Sequence, residues 1–340
     1  MTTPPQTNKV IDIHSHYVHP SVVSAVKENP SSFGIKVIQK AEGISFDFGG
    51  SLSRPFFQKM LDLDERLKHM DASGIDVQIL STWVDVFGYS LGPSHLEKFS
   101  KLVNDGLKLA VDSNRDRFSA VATLPLPFMD RAVEELDRSV KDLGLVGAMI
   151  GTNILDKNLD DPIFDPLWKK AETLNVPIIL HPAMPEFGHT LSDYYLKNLL
   201  GNPMSTTIAA SRLILGGILE RHKNLRLVLL HGGGHLLYGI GRIDKGYDVR
   251  LETRKHIRNL PSSYLQRFMY DTVVYDSEVL RFMQSRVGND SIMLGTDYPF
   301  DMEFLNQVDE LSYLFGKDAV KITSINAQRT FFLNLSFPIF

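Results

Sequence analysis

The stretch KVIDIHSHYVHP, residues 9–20, joins an apolar run to a polar end. Val10, Ile11 and Ile13 are strand formers, with Asp12 the one charge among them. His14 and His16 follow, one residue apart, and His19 stands beyond them. In an extended chain positions i and i+2 project to the same side, so His14 and His16 point together. The same pattern recurs at VQILS (77–81), FSAVATL (118–124), VGAMIG (146–151), PIILH (177–181), LRLVLLH (225–231), FMYDT (268–272) and SIMLGTD (291–297). Near-continuous apolar runs of this length fit parallel strands covered on both faces.

Amphipathic segments lie between most of these runs. DLDERLKHMDASG sets Leu63, Leu67 and Met70 at helical spacing and stops at Gly74. MDRAVEELDRSVKDLG sets Ala132, Leu136 and Val140 on one face and ends near Gly144. Eight β–α units predict an α/β fold: a (β/α)8 TIM barrel, one domain over residues 1–340. An open doubly wound sheet is the alternative, but no Gly-x-Gly-x-x-Gly turn follows the first strand. Two stretches depart from the repeat. Residues 34–58 read as a small β insertion after strand 1, and 183–203 as a long loop after strand 5. Barrel sites lie at the carboxyl ends of the strands, where both segments would cover them.

Composition narrows the function. The chain has 340 residues, 43% hydrophobic and 22% charged, as in ordinary globular proteins. Its 36 basic and 40 acidic residues leave a net charge of −4 with no basic stripe, which argues against a nucleic-acid partner. Cysteine is absent, so any metal must be held by histidine and carboxylate. The opening MTTPPQTNK lacks a basic region followed by an apolar one. No apolar run approaches the roughly 18 residues of a spanning helix. The expectation is a cytoplasmic enzyme with no membrane partner.

A lone His-x-His carries little weight. The other strand ends add to it: His181 closes PIIL, His231 closes LVLL and Asp297 follows IMLGT. Polar groups gathered and buried at one rim are costly unless something such as a cation satisfies them. A histidine-rich set with one carboxylate suits Zn²⁺ or another borderline divalent ion, with Mn²⁺ the alternative. His19, His69, His95, His189, His222 and His256 fall on helices or loops and read as structural or surface residues. Asp12 reads as a partner of the histidine pair or a strand cap. Gly232, Gly233 and Gly234 allow close backbone approach; no Lys-[Ser/Thr] follows to make them a phosphate loop. Trp83 and Phe300 are candidate pocket-lining aromatics.

The motifs DIHSH, HP, HGGG and LGTDYPF, with MDASGIDVQILST, TLPLP, GAMIGTN, STTIAASRLILGGILE and HGGGHLLYGIGRI, make the chain resemble the amidohydrolase superfamily over residues 9–335. The nearer resemblance is to its decarboxylase branch, typified by 2-amino-3-carboxymuconate 6-semialdehyde decarboxylase. That resemblance implies a mononuclear site with His14, His16, His181 and Asp297 as ligands. It makes His231 the acid/base and counts Asp297 in the catalytic set as well. Binuclear relatives carry a lysine at the end of strand 4, and VGAMIGTN offers none. Arg54 matches an arginine that grips a substrate carboxylate. Arg242 matches a second one, supplied by a neighbouring subunit, which implies a homodimer or higher homo-oligomer. A guanidinium fork suits a carboxylate. The type enzyme lines its pocket with a tryptophan where this chain has Asn198, and His235 replaces a small residue. The expected activity is metal-dependent, non-oxidative decarboxylation of a carboxymuconate semialdehyde or a hydroxybenzoate-type acid. The alternative is hydrolysis of a lactone, amide or carbon–carbon bond at the same metal. A non-catalytic scaffold would not need the full set of ligands and His231.

Overall fold

Eight of the apolar runs pair side by side in the computed structural model, which describes residues 8–183, 187–304 and 306–333. They are β1 Ile11–His16, β2 Val77–Ser81, β3 Phe118–Ala120, β4 Ala148–Gly151, β5 Pro177–His181, β6 Arg226–Leu229, β7 Phe268–Asp271 and β8 Ile292–Met293. Every pairing among them is parallel. β1, β2 and β3 form one sheet, and β8, β7, β6, β5 and β4 form the other in that order. Backbone contacts also cross both gaps between the sheets. Ala122 bridges to Ala148, and Ser15 to Tyr298. Ile13 N–H donates to Leu294 O at 2.9 Å, and Asp297 N–H to His14 O at 2.8 Å. The early segment expected to lack a leader lies largely outside the described residues, as do three residues of the loop after β5. Among the described residues no helix is long and apolar enough to cross a membrane.

The strands are buried along their length, as their unbroken apolar runs require. Burying a side chain such as Ile79, Leu180 or Leu227 stabilises the fold by roughly 1.5–3 kcal/mol. β1 is longer than its apolar letters predict. It runs on through His16, and its register against β2 shifts between Asp12 and Ser15. That bulge adds a residue to β1 and re-aims its end. β6 is shorter than predicted, because the chain leaves the sheet before His231.

The predicted helices form at Leu63–Ala72 and Met129–Lys141. Asp62 caps the first by accepting from Glu65 N–H at 2.9 Å. Its buried face holds Met70 and also Arg66, a charge on the stripe that Leu63, Leu67 and Met70 define. Residues 36–47 form an antiparallel hairpin, Lys36–Lys40 against Gly43–Asp47. Phe46 of this hairpin, with Phe48 and Phe56 just beyond it, packs on Phe99 and Trp83. The return of this segment delivers Arg54. A second, two-residue hairpin after β4, Asn153–Ile154 with Lys157–Asn158, has no counterpart in the sequence reading. After β5, Lys197–Gly201 leads into the helix Asn202–Leu215.

Candidate metal centre and active-site cavity

Four side chains converge at the carboxyl ends of the strands. His14 and His16 come from the bulged end of β1, His181 closes β5, and Asp297 follows β8. One donor atom from each lies within 4.8 Å of all the others, and all four residues are buried. The three imidazole centroids are 5.2, 5.3 and 5.0 Å apart with rings nearly perpendicular.

The fold fixes which nitrogen of each ring is free. His14 Nδ1 donates to Asp271 Oδ2 at 2.6 Å. His16 Nδ1 donates to Thr82 O at 3.1 Å, and His181 Nδ1 to Pro182 O at 2.7 Å. A carboxylate and two carbonyls only accept, so in each neutral ring Nδ1 carries the proton and Nε2 keeps the lone pair. His14 Nε2, His16 Nε2, His181 Nε2 and Asp297 Oδ1 are buried and make no hydrogen bond. Asp297 Oδ1 stands 3.2 and 3.3 Å from the first two. Each such group costs about 1–3 kcal/mol unsatisfied. A divalent cation would satisfy all four, and three nitrogens with one carboxylate oxygen are a donor set for a borderline divalent ion. Without one, burial pulls His14 down, but Asp297 and Asp271 outweigh it and push the ring up to about 10. Burial lowers His16, and it takes His181 well below its ordinary value with help from the neighbouring imidazoles. For Asp297, burial acts upward, yet His14 and the other histidines hold it well below the usual carboxylate range.

Beneath the site, buried Asp12 ties three strands together. It accepts from His14 N–H (3.0 Å), Gln78 Nε2 (2.8 Å), Thr296 N–H (3.1 Å) and Thr296 Oγ (2.7 Å). Gln78 in turn accepts from Arg66, which also donates to His16 O. The sequence reading of Asp12 as a partner of the pair agrees with this geometry.

His231 stands beside the four without joining them. Its ring lies 5.2 Å from His14 and 5.0 Å from His181, and its Nε2 is 3.8 Å from Asp297 Oδ2. Its Nδ1 is buried and unpaired. Its backbone is left-handed (φ 55°), as is that of Asp297 (φ 65°), a strain that collects at functional sites. The glycines after it explain how the turn closes. A Cβ on Gly232 would run into the Val274 side chain, and one on Gly234 into the Pro203 carbonyl. Gly232 N–H donates to Asp271 Oδ1 at 2.7 Å.

His231 and Asp297 open onto a cavity of about 330 Å³. Val273, Val274, Val279, Leu199 and Met302 give it apolar walls, and Asn198, Asn202, His235 and Tyr275 supply polar groups. Both departures from the type enzyme, Asn198 and His235, therefore face this space.

The other expected substrate residues lie outside that lining. Arg54 forms a fork with Asp85: Nε to Oδ2 and Nη2 to Oδ1, each at 2.9 Å, with its backbone N–H also on Oδ2. Its guanidinium rests 5.1 Å from the Trp83 ring centre and 5.4 Å from that of Phe300. Phe300 reaches the metal-site cluster, 5.2 Å from His16, while Trp83 is fully buried. Arg242 is exposed on the helix Leu236–Val249. Of the other histidines, His19 accepts from Ser21 N–H as a helix cap, His69 pairs with Glu303 and His222 with Glu172. His95, His189 and His256 are exposed. The sequence reading passed over Asp85, Tyr275 and Asp271. Asp271 carried a usable signal, a carboxylate closing the run FMYD at the rim that bears the ligands.

The amidohydrolase family model matches residues 11–332. A 2-amino-3-carboxymuconate-6-semialdehyde decarboxylase of Dictyostelium discoideum is 33% identical over 254 residues, covering 74% of this chain and 71% of the relative. A gamma-resorcylate decarboxylase of Rhizobium sp. (strain MTP-10005) is 31% identical over 299 residues, covering 81% and 89%. A 5-carboxyvanillate decarboxylase of Novosphingobium aromaticivorans, solved with manganese and 4-hydroxy-3-methoxy-5-nitrobenzoic acid, superposes with a TM-score of 0.81 over 98% of each chain. At 20% identity that likeness is one of fold.

Proposed function

The chain belongs to the amidohydrolase family, and from that premise we propose that it is a metal-dependent, non-oxidative carboxy-lyase acting on an aromatic or related unsaturated carboxylic acid. The observation that carries the reading is the cluster of four buried donor atoms without hydrogen bonds, with His231 alongside at the wall of a mostly apolar cavity. We take the two sheets, bridged at both gaps, as one closed (β/α)8 domain with the 36–47 hairpin as its insertion. The location proposed for it is the cytoplasm.

His14, His16, His181 and Asp297 would hold one divalent cation, Zn²⁺ or Mn²⁺. When bound it supplies positive charge against the electron pair left as CO₂ departs. The chain's own residues do the rest. The apolar walls accept the ring and exclude water from it, which strengthens every charge interaction inside. His231 delivers the proton: the carbon–carboxylate bond breaks, CO₂ leaves, and the electron pair on the ring carbon takes a proton from the imidazolium. Its unpaired Nδ1 and lightly engaged Nε2 leave the ring available for that work.

Arg54 is the proposed grip on a substrate carboxylate, with Trp83 and Phe300 holding its guanidinium flat. To serve, it must exchange Asp85 for the substrate. Arg242 is the proposed contribution of a second copy. It shares its helix with Tyr238, which is 86% exposed, and that helix packs on the one bearing exposed Met204 and Ile208. An apolar face of this kind beside the cavity supports a homodimeric site.

The test is CO₂ release from a panel of hydroxybenzoates and carboxymuconates by metal-loaded protein. His231→Ala should keep the metal and lose at least about 100-fold in kcat. A metal-replete, fully active variant refutes the role of His231. Hydrolysis products without CO₂ refute the reaction class.

A further inference from the structure

We infer that Asp271 is a positioning residue that holds the metal site and the acid/base turn in one register. It does so by binding the His14 ring with one carboxylate oxygen and the turn after His231 with the other. The inference rests on the metal-site reading above.

Asp271 closes β7, two strands from β1 in the order β7, β8, β1, and is fully buried. Oδ2 takes the proton of His14 Nδ1 at 2.6 Å. Oδ1 accepts Gly232 N–H at 2.7 Å and, more weakly, Val273 N–H at 3.3 Å. The two oxygens thus have different duties. The first leaves His14 Nε2 bare and turned toward Asp297. The second pins the residue after His231, whose left-handed backbone needs an anchor. Gly295 makes the approach possible. A Cβ there would sit 2.9 Å from both the Asp271 and the His14 Cβ. His181 is oriented by a backbone carbonyl, and His16 by one with the Ser81 hydroxyl beside it at 3.3 Å, so His14 is the ligand whose Nδ1 is held by a carboxylate alone.

Asp271→Asn separates this role from bulk and fold. Two backbone N–H groups point at Oδ1, so the amide oxygen stays on that side and the NH₂ faces His14. An NH₂ can only donate. His14 must then accept at Nδ1 and carry its proton on Nε2, where the lone pair for the cation should be. The experiment uses full-length metal-free protein, wild type and Asp271→Asn, with two readouts besides activity. One is the affinity for Zn²⁺ and Mn²⁺ by calorimetric titration. The other is the histidine tautomer by ¹⁵N NMR once each protein is saturated with Zn²⁺, with thermal unfolding as the check that the variant folds. The expected result is a folded variant with about 10–100-fold weaker metal binding and one histidine switched from Nδ1–H to Nε2–H. Unchanged affinity with an unchanged tautomer overturns the inference. If wild type itself binds no metal, the metal-site reading fails. If only the variant loses it and the tautomer has switched, both stand.

Discussion

Removing the Asp85 carboxylate should tighten the hold of this protein on its substrate. Asp85 fills the fork of Arg54 with two parallel hydrogen bonds of 2.9 Å and takes the Arg54 backbone N–H besides. A substrate carboxylate that uses the same fork must first displace it. The Arg54 side chain is 54% exposed and that of Asp85 16%, so solvent screens much of the Coulomb attraction, and an exposed pair is worth at most about 1 kcal/mol. Bidentate geometry and the aromatic floor of Trp83 and Phe300 raise that to roughly 2 kcal/mol at the upper end. Asp85→Asn keeps the shape and weakens the competition, and Asp85→Ala removes it. At 1.4 kcal/mol per factor of ten, KM should fall by about 5- to 30-fold, with kcat changed far less. Binding of a non-reacting nitro analogue, followed calorimetrically, gives the same quantity without turnover. The double variant Arg54→Ala/Asp85→Asn should lose the gain, which assigns it to Arg54. A KM that is unchanged or raised in Asp85→Asn refutes the reasoning, because Asp85 would then be the anchor that aims Arg54 and not its competitor.

Two further outcomes follow from the site. Exhaustive chelation should lower the unfolding temperature by roughly 5 °C, the effect of losing a ligand present near a thousand times its Kd. Zn²⁺ or Mn²⁺ should restore it in a calorimetric scan, and an unmoved transition would separate the cluster from metal binding. If Arg242 serves the neighbouring site, chains carrying Arg242→Ala or His231→Ala should each be inactive alone. Refolded together they should regain about a quarter of wild-type activity, since half the dimers are mixed and one site in each of those is complete. No recovery in dimers shown to be mixed would count against sharing.

Much of this was legible in the letters, for definite reasons. The parallel strands announced themselves because burial on both faces leaves an unbroken apolar run, as in PIILH, whose polar end falls on the rim. The bulge in β1 was not legible. Nothing in VIDIHSH marks where the register against β2 slips, because that is decided by the pairing and not by the strand. Arg66 falls on the apolar stripe of its helix, between Leu63 and Met70, and no letter there says that a charge will be buried. Its burial depends on Gln78 and the His16 carbonyl, 12 and 50 positions away. Likewise Arg54 read as a free clamp, because Asp85 lies 31 residues on with no local motif joining the two.

The same logic separates ligands from the groups that aim them. A ligand must be a particular residue at a particular strand end, so His14, His16, His181 and Asp297 each leave a letter where the fold predicts one. The acceptors behind the rings are under no such constraint. Thr82 O and Pro182 O are backbone atoms, and any residue at those positions would offer the same carbonyl. His181 is therefore oriented by a group that no sequence can display, and His16 largely so, with the Ser81 hydroxyl beside its Nδ1 at 3.3 Å. Asp271 does that work with a carboxylate, and it also reaches a second element, the Gly232 amide. A backbone carbonyl belongs to its own strand and has one position to offer. A carboxylate has two oxygens and can join parts of the chain that approach from different strands. Where the site needed two elements set against each other, an aspartate stands, and that is why this positioning group was written into the sequence while the carbonyls behind the other two rings were not.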